Sequence, residues 1–459
     1  MTPTLTVKDI RLTERHAQFA HPFRFGDVTV TGTAQAFVHV DIEVDGERIE
    51  GAAAELMVPK WFDKNPALTI EGAVEQLRTS LLLARDIYLD QKKPMSAFAL
   101  HAAVYPKQIR AGAAAGLPQL AAVFGPAEID KAILDALLRA LGMDVFEGLA
   151  RNVMGLDARL TPDLDQDAIR TVLAGGQRPD RIAVRHTVGM VDPAQTLDAV
   201  VREQGCRYFK IKLRGDPERD IARLEELAAV LDPLGVDYRA TLDSNEQYAD
   251  PAQLLKLVEM LQAAPRLAAF QQRMLYIEQP LPRELTWKTP LGAVGERVNV
   301  IIDEADDGYD TFPRALALGY RGISSKCCKG LYKSILNTAR TRVHPGTFIS
   351  AEDLTSQAGL AVQQDTALVA FLGCTHVERN GHHYVDGFGE TPAAEAERFL
   401  VAHPDLYENR GGTVQLAIHD GDLLTGSLTA PGFASAVHPD WSTIAPLAQP
   451  RIILREQTA

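Results

Sequence analysis

Three carboxylates close successive short apolar runs: Asp243 ends YRATLD (Tyr238–Asp243), Glu278 ends MLYIE (Met274–Glu278) and Asp303 ends VNVIID (Val298–Asp303). Taken singly, each reads as a turn or helix-capping acid. As an ordered set on neighbouring strands about 5 Å apart, they can converge on one point. Converging carboxylates repel unless a hard cation neutralises them, and an all-oxygen set without His or Cys suits Mg²⁺, with Mn²⁺ second. Lys210 and Lys212 are two residues apart, so on a strand they share a face. Two adjacent ammoniums disfavour each other's charge, which would lower a lysine pKa towards that of a general base. Alone, such a pair reads as a solvated edge strand. Lys326 ends a run four strands further on, so it is expected to face Lys212 across a closed barrel. Bases on opposite faces of a substrate, with a metal below, form a site for proton transfer at a single carbon.

The elements that must position these groups are legible as alternating short strands and amphipathic helices. Candidate strands are Ile182–Val188, Tyr208–Leu213, Tyr238–Asp243, Met274–Glu278, Val298–Asp303, Gly322–Lys326, Thr347–Ala351 and Thr375–Glu378. Helical stretches include Glu218–Leu231, Pro251–Leu261, Thr311–Leu318, Leu331–Val343 and Ser356–Leu372, several opened by a capping Asp or Ser. Eight such units in about 200 residues predict an α/β parallel barrel of the TIM type. An open doubly wound sheet is the alternative, but no G-x-G-x-x-G follows the first strand. Before the barrel, Val28–Val30 and Ala36–Val44 read as antiparallel strands. Glu47–Glu55 runs into a loop at Met57–Pro59, and Leu68–Leu89 and Ala127–Leu141 read as helices. The expected domains are an α+β unit over 1–178, a barrel over 179–387, and a segment over 388–459 that packs back on the first unit.

The ordered set of strand-end residues resembles the enolase superfamily, in its muconate lactonizing enzyme-like branch (the mandelate racemase/muconate lactonizing enzyme family). The segments that carry the resemblance are FKIKLRGD (Phe209–Asp216), TLDSNE (Thr241–Glu246), YIEQPL (Tyr276–Leu281), IIDEAD (Ile301–Asp306) and SSKCCKG (Ser324–Gly330), with PFRFG (Pro22–Gly26) and IDKAILDALLRALG (Ile129–Gly142) ahead of the barrel. The resemblance implies a modified (β/α)7β barrel and an N-terminal α+β capping domain completed by the C-terminal segment. It implies abstraction of the proton α to a substrate carboxylate through a metal-stabilised enediolate. In that reading Asp243, Glu278 and Asp303 are metal ligands, Lys212 and Lys326 the acid/base pair, and Lys210 the group that tunes Lys212. Asn245 and Glu304 support the ligands. Oligomerisation is expected from the resemblance alone.

No histidine sits on the seventh strand, and His344 falls in a turn before it, which favours a Lys/Lys racemase, epimerase or cycloisomerase. The alternative is a lyase that dehydrates an acid sugar through the same enediolate. A non-catalytic barrel would have no need of all three carboxylates and both lysines. The chain departs from the family after Lys326, reading Cys327-Cys328-Lys329-Gly330-Leu331 where Gly-Gly is usual. It also retains only Asp386 of a D-x-D that dipeptide epimerases carry. Candidate substrate contacts are Arg24, Lys60, Glu352, Asp353, His382 and Asp386, with Phe23, Trp61 and Phe62 as aromatic walls.

Composition narrows the partners. With 47 Lys plus Arg against 60 Asp plus Glu, the net charge is −13, which disfavours nucleic acid and anionic membranes. No run is long and apolar enough for a membrane span or a signal peptide. Four cysteines without a C-x-x-C pair fit a reducing cytoplasm. The expected partner is a small carboxylate substrate.

Overall fold

The structure is a computed structural model that describes residues 2–25 and 28–451. Three long antiparallel strands begin it: β1 (Leu5–Phe25), β2 (Val28–Val44) and β3 (Glu47–Leu56). Alternation puts Val38, Val40 and Ile42 on a buried face. The tract expected to run into a loop at Met57 is thus a full strand, because ten residues of β2 pair with it. Its Ala53 is small enough to admit the helix Phe124–Leu141, while Ala52 and Ala54 face the other side, against Leu360 and Ala361. The approach is closest at Gly51, where an added Cβ would stand 2.3 Å from the Ala132 carbonyl oxygen.

Eight parallel strands follow: β4 (Arg181–Val188), β5 (Tyr208–Lys212), β6 (Arg239–Asp243), β7 (Met274–Glu278), β8 (Val300–Ile302), β9 (Gly322–Ser325), β10 (Phe348–Ala351) and β11 (His376–Arg379). Each pairs with the next, and β11 pairs with β4, so the ring closes as the modified barrel expected. The crossover helices form for local reasons. Pro217–Leu231 starts at Asp216, whose side chain accepts from the Arg219 N–H, and buries Ile221, Leu224, Leu227 and Leu231. Pro251–Ala263 repeats the device at Asp250.

Residues beyond 388 divide their contacts between the two units. A hairpin of β12 (Tyr407–Arg410) and β13 (Thr413–Leu416) leads to β14 (Asp422–Leu424), which adds antiparallel to β4. The chain then returns to the cap, where β15 (Ala445–Pro446) pairs with β1 and completes the sheet order β15-β1-β2-β3. Arg15 grips Glu395 through two bonds of 3.0 Å.

A buried ionic cluster lies along the seam between cap and barrel. Lys131 stands 2.8 Å from Glu128 and 3.6 Å from Glu55, while Arg379 stands 2.9 Å from Asp365. Burial, with Glu128 and Asp365 nearby and only Lys131 opposing, pushes Glu55 up to about 8 from its ordinary 4.5. The folded protein therefore keeps Glu55 protonated at pH values where the unfolded chain ionises it. This contribution is fully present below the unfolded value and is lost as pH rises towards about 8. Glu55→Gln should abolish the loss. Thermal melts should show the variant gaining on the wild type between about pH 5 and pH 9, and an equal offset at both ends would contradict it.

Candidate active site

The site is built from the alternation of β5 and from the residues at the barrel's C-terminal rim. Phe209 and Ile211 pack outwards among the helices, so Lys210 and Lys212 project into the interior. The parallel register places Lys212 opposite Asp243, and Asp243 opposite Glu278. Asp303 stands one residue beyond β8, Lys326 one beyond β9 and Glu352 one beyond β10. All of these side chains are buried. The carboxylates and lysines expected from the sequence are thus gathered at one end of one barrel.

Lys210 is the hub. Its Nζ lies 3.0 Å from Asp243, 2.8 Å from Glu278, 2.7 Å from Glu352 and 2.9 Å from Glu378. Burial alone would lower its pKa, but the four carboxylates drive it well above the ordinary value. Repulsion from Lys212 is therefore outweighed at this residue. Lys212 donates to Asp243 Oδ2 at 2.6 Å. Lys326 donates to Asp303 Oδ2 at 2.7 Å, and its ammonium sits 4.2 Å from the centre of the Trp61 ring, a cation–π contact. The other oxygen of Asp303 accepts from Ser324 and from Lys329, the latter at 3.3 Å.

The carboxylates respond to these neighbours differently. Burial would raise Asp303, but Lys326 and Lys329 hold it well below the usual carboxylate range. Glu378 is likewise held low against its burial by Lys210, Lys212 and Lys326. Glu278 is pushed well up by burial and by the charges of Asp243 and Glu352, with Lys210 opposing. Glu304 is raised by burial despite Lys64. Its Oε1 accepts from Asn245 at 3.1 Å, while Oε2 is buried without a hydrogen bond. Asp243, Glu278 and Asp303 offer oxygen donors only, crowded enough to oppose Glu278's ionisation, and this chemistry fits a hard divalent cation. Such a cation would compete with the lysine ammoniums for the same oxygens. Among the described residues, the set of three potential ligands whose atoms all lie within 4.8 Å of one another is elsewhere, on the cap at His39, Asp41 and Glu50. There the Arg11 guanidinium already reaches His39 at 3.2 Å and Glu50 at 3.3 Å.

Backbone strain collects around the rim. Asn245, Glu246, Gln279, Lys60 and Thr355 all have positive φ. Gln279 shows what holds one of them: its side-chain oxygen accepts from the Asp303 and Ala305 N–H groups, and its amide donates to Leu281 O. The residue just beyond β7 is thereby tied to the loop that presents Asp303.

A small pocket of about 20 Å³ opens onto Lys210, Lys212 and Lys326 and is walled by Phe23, Val58 and Trp61 from the cap. Asn245, Asp353, Leu354, Thr355, Glu378 and Asn380 complete it. Of the expected substrate contacts, Asp353 lines this pocket, accepts from the Ser356 and Asn380 N–H groups and is pushed up to about 6 by burial, against Arg379. Glu352 is fully buried beneath it in an ion pair with Arg185, supported by Tyr276 and Ser350. Arg24 and Asp386 are exposed and do not line the pocket. Lys60 turns back to donate to Asn65 O at 2.6 Å, and Lys64 instead reaches the barrel at Asn245 O, Glu246 and Glu304. His382 sits beside His186, its ring nitrogens without hydrogen bonds and its pKa lowered to about 3 by burial and by His383. Phe62 packs on Phe124 rather than on the pocket. Sequence reasoning missed Glu378, Arg185, Lys64 and Lys329. The strand-end rule applied once more would have found Glu378, and a charge inside the apolar run Ile182–Val188 marked Arg185.

Residues 192–329 match the family model described as enolase C-terminal domain-like. No curated protein sequence matches the chain. Among solved structures, the chain is similar to an enolase from Bradyrhizobium complexed with magnesium and mandelic acid, at 19% identity and TM-score 0.62, covering 95% of this chain and 97% of that one. It is also similar to a dipeptide epimerase from Enterococcus faecalis V583 complexed with Mg and L-Leu-L-Tyr, at 15% identity and TM-score 0.63, covering 94% and 99%. A muconate lactonizing enzyme from Pseudomonas fluorescens complexed with muconolactone aligns at 17% identity and TM-score 0.60, covering 94% and 97%. At these identities the likeness is one of fold.

The Arg185–Glu352 pair gives a direct test of the site's charge balance. Arg185→Met removes one partner of a fully buried pair and should destabilise by about 3–5 kcal/mol in urea denaturation. A loss under about 1 kcal/mol would mean that Lys210 alone compensates Glu352.

Proposed function

We propose that this chain is a member of the enolase superfamily and a Mg²⁺-dependent enzyme that moves the proton α to the carboxylate of a small substrate. The reading assigns Asp243, Glu278 and Asp303 as the residues that would hold the metal, with Asn245 and Glu304 supporting them. The observation that carries it is the pair of ammoniums, Lys212 and Lys326, entering one pocket from strands that stand opposite each other in the ring order. No histidine lines that pocket among the described residues, which favours a Lys/Lys pair over a His base.

A bound Mg²⁺ would supply the concentrated positive charge that makes a proton α to a carboxylate removable. The chain's own residues do the rest. One lysine takes the proton from one face of the carbon, and the other returns a proton from the opposite face, giving racemisation or epimerisation. In a cycloisomerisation one lysine removes the proton as the β C–O bond breaks and its electron pair leaves on the carboxylate oxygen, and in the reverse direction that bond forms as the lysine returns the proton. Lys210 stays charged beside the enediolate oxygens as a fixed source of positive potential. Trp61 and Phe23 exclude water, and Asp353, Thr355 and Asn380 are placed to meet a polar group at the substrate's far end. The magnesium and small carboxylate ligands of the Bradyrhizobium and Enterococcus structures support this class. Four unpaired cysteines suit a cytoplasmic setting.

Incubation of a carboxylate library in D₂O with Mg²⁺ should reveal a substrate that exchanges its α-hydrogen with inversion, read by NMR and optical rotation. Loss of water to a 2-keto acid instead would establish a lyase. Lys212→Ala and Lys326→Ala should each cut turnover by about 10²–10⁴-fold, and unchanged exchange in both would refute the base assignment. Chelation of the metal should abolish exchange, and Asp243→Ala should remove Mg²⁺ binding in calorimetry.

A further inference from the structure

Outside the barrel's interior, a chain of buried hydrogen bonds crosses from the cap to the rim. Asp130, on the helix Phe124–Leu141, accepts from the Tyr88 hydroxyl at 2.6 Å. Its other oxygen pairs with His101 Nδ1 at 2.6 Å, and His101 Nε2 pairs with the Tyr309 hydroxyl at 2.7 Å. Asp130, His101 and Tyr309 are respectively 1%, 3% and 8% exposed. A carboxylate can only accept, so His101 donates through Nδ1. In the neutral ring Nε2 then accepts the Tyr309 proton. Tyr88, His101 and Asp130 come from three different helices of the cap, whereas Tyr309 belongs to the barrel.

Tyr309 lies in the connection that starts at Asp303 and ends where the helix Thr311–Ala317 begins. That connection also carries Glu304 and Asp306. Its barrel-side fastenings are Gln279 to the Asp303 and Ala305 N–H groups, and Lys329 and Lys333 to Asp306 at 3.0 Å each. Its cap-side fastenings are the Tyr309 hydroxyl, Gln119, which donates to Asp307 O at 3.0 Å, and Lys64, which stands 3.4 Å from Glu304. Aromatic packing of Tyr105 edge-on to Tyr309 at 5.0 Å fixes the ring that carries the hydroxyl.

We propose that His101 and Tyr309 are positioning residues: through the chain Asp130–His101–Tyr309 the capping domain holds the connection that begins at Asp303, and so sets the Asp303 and Glu304 carboxylates. The proposal rests on the reading of Asp303 as a metal ligand. Side chains hydrogen-bonded behind a ligand orient it, and their loss weakens metal binding even though they never touch the ion. Tyr309→Phe deletes one oxygen and keeps the ring, and His101→Gln keeps a polar group but breaks the relay.

Hydrogen–deuterium exchange on the metal-free protein should show the 303–310 peptide opening about tenfold faster in both variants, with the barrel's other connections unchanged. Calorimetry with Mg²⁺ alone should show affinity weakened about tenfold in both, and by no more than that in the double variant, because both break one chain. Unchanged exchange in 303–310, or faster exchange with wild-type Mg²⁺ affinity, overturns the proposal. Faster exchange in a protein whose wild type takes up no Mg²⁺ upholds the tether and instead removes the metal reading.

Discussion

Closing eight strands into a ring buries the side chains of the barrel's interior, yet this chain places a lysine there among four carboxylates. Lys210 with Asp243, Glu278, Glu352 and Glu378 is the interaction on which the site's geometry depends. Each carboxylate comes from a different strand or strand end, so a single ammonium ties four of the eight barrel positions together. Taking charges from water costs several kcal/mol apiece, and their mutual attraction recovers this only where geometry and additional hydrogen bonds are good. The additional bonds are present: Thr187 and Asn380 donate to Glu378, and Tyr276, Ser350 and Arg185 donate to Glu352. Replacing a buried ionic cluster by apolar side chains is often neutral or stabilising, so what this one contributes is a fixed arrangement of charge beneath the pocket.

The pocket inherits its character from that floor. Lys212 and Lys326 each hold one carboxylate rather than several, and both present their ammoniums where cap aromatics seal the mouth. The cap therefore does more than exclude water. Trp61 sets its ring against one of the two lysines, and Lys64 and Arg283 bind its loop to the rim through Asn245, Glu246 and the Trp61 and Phe62 carbonyls.

Much of this was legible from spacing. Met274–Glu278 and Leu331–Val343 form as read, and the rule that barrel strands present function at their C-terminal ends located Asp243, Glu278, Asp303 and Lys326 within a residue. The period of a strand says which side chains share its face. It does not say which charges on other strands meet them, and so Lys210 was read against Lys212 when its partners are four acids. Lys60 is a candidate contact by sequence, and nothing in composition reveals that its backbone adopts φ +67 and that its ammonium turns back to Asn65 O. The seam bond between His101 and Tyr309 joins residues 208 apart, beyond any local pattern.

The strand β15, only two residues long, has a consequence for how the molecule is made. Thr13 and Glu14 on β1 find their outer partners at Pro446 and Ala445. Until the ribosome has delivered the entire barrel, that edge of the cap sheet carries unpaired amide and carbonyl groups, the kind of border on which a foreign strand can dock. Vectorial synthesis thus leaves the nascent cap open at Thr13 and Glu14 until residues 445 and 446 have emerged.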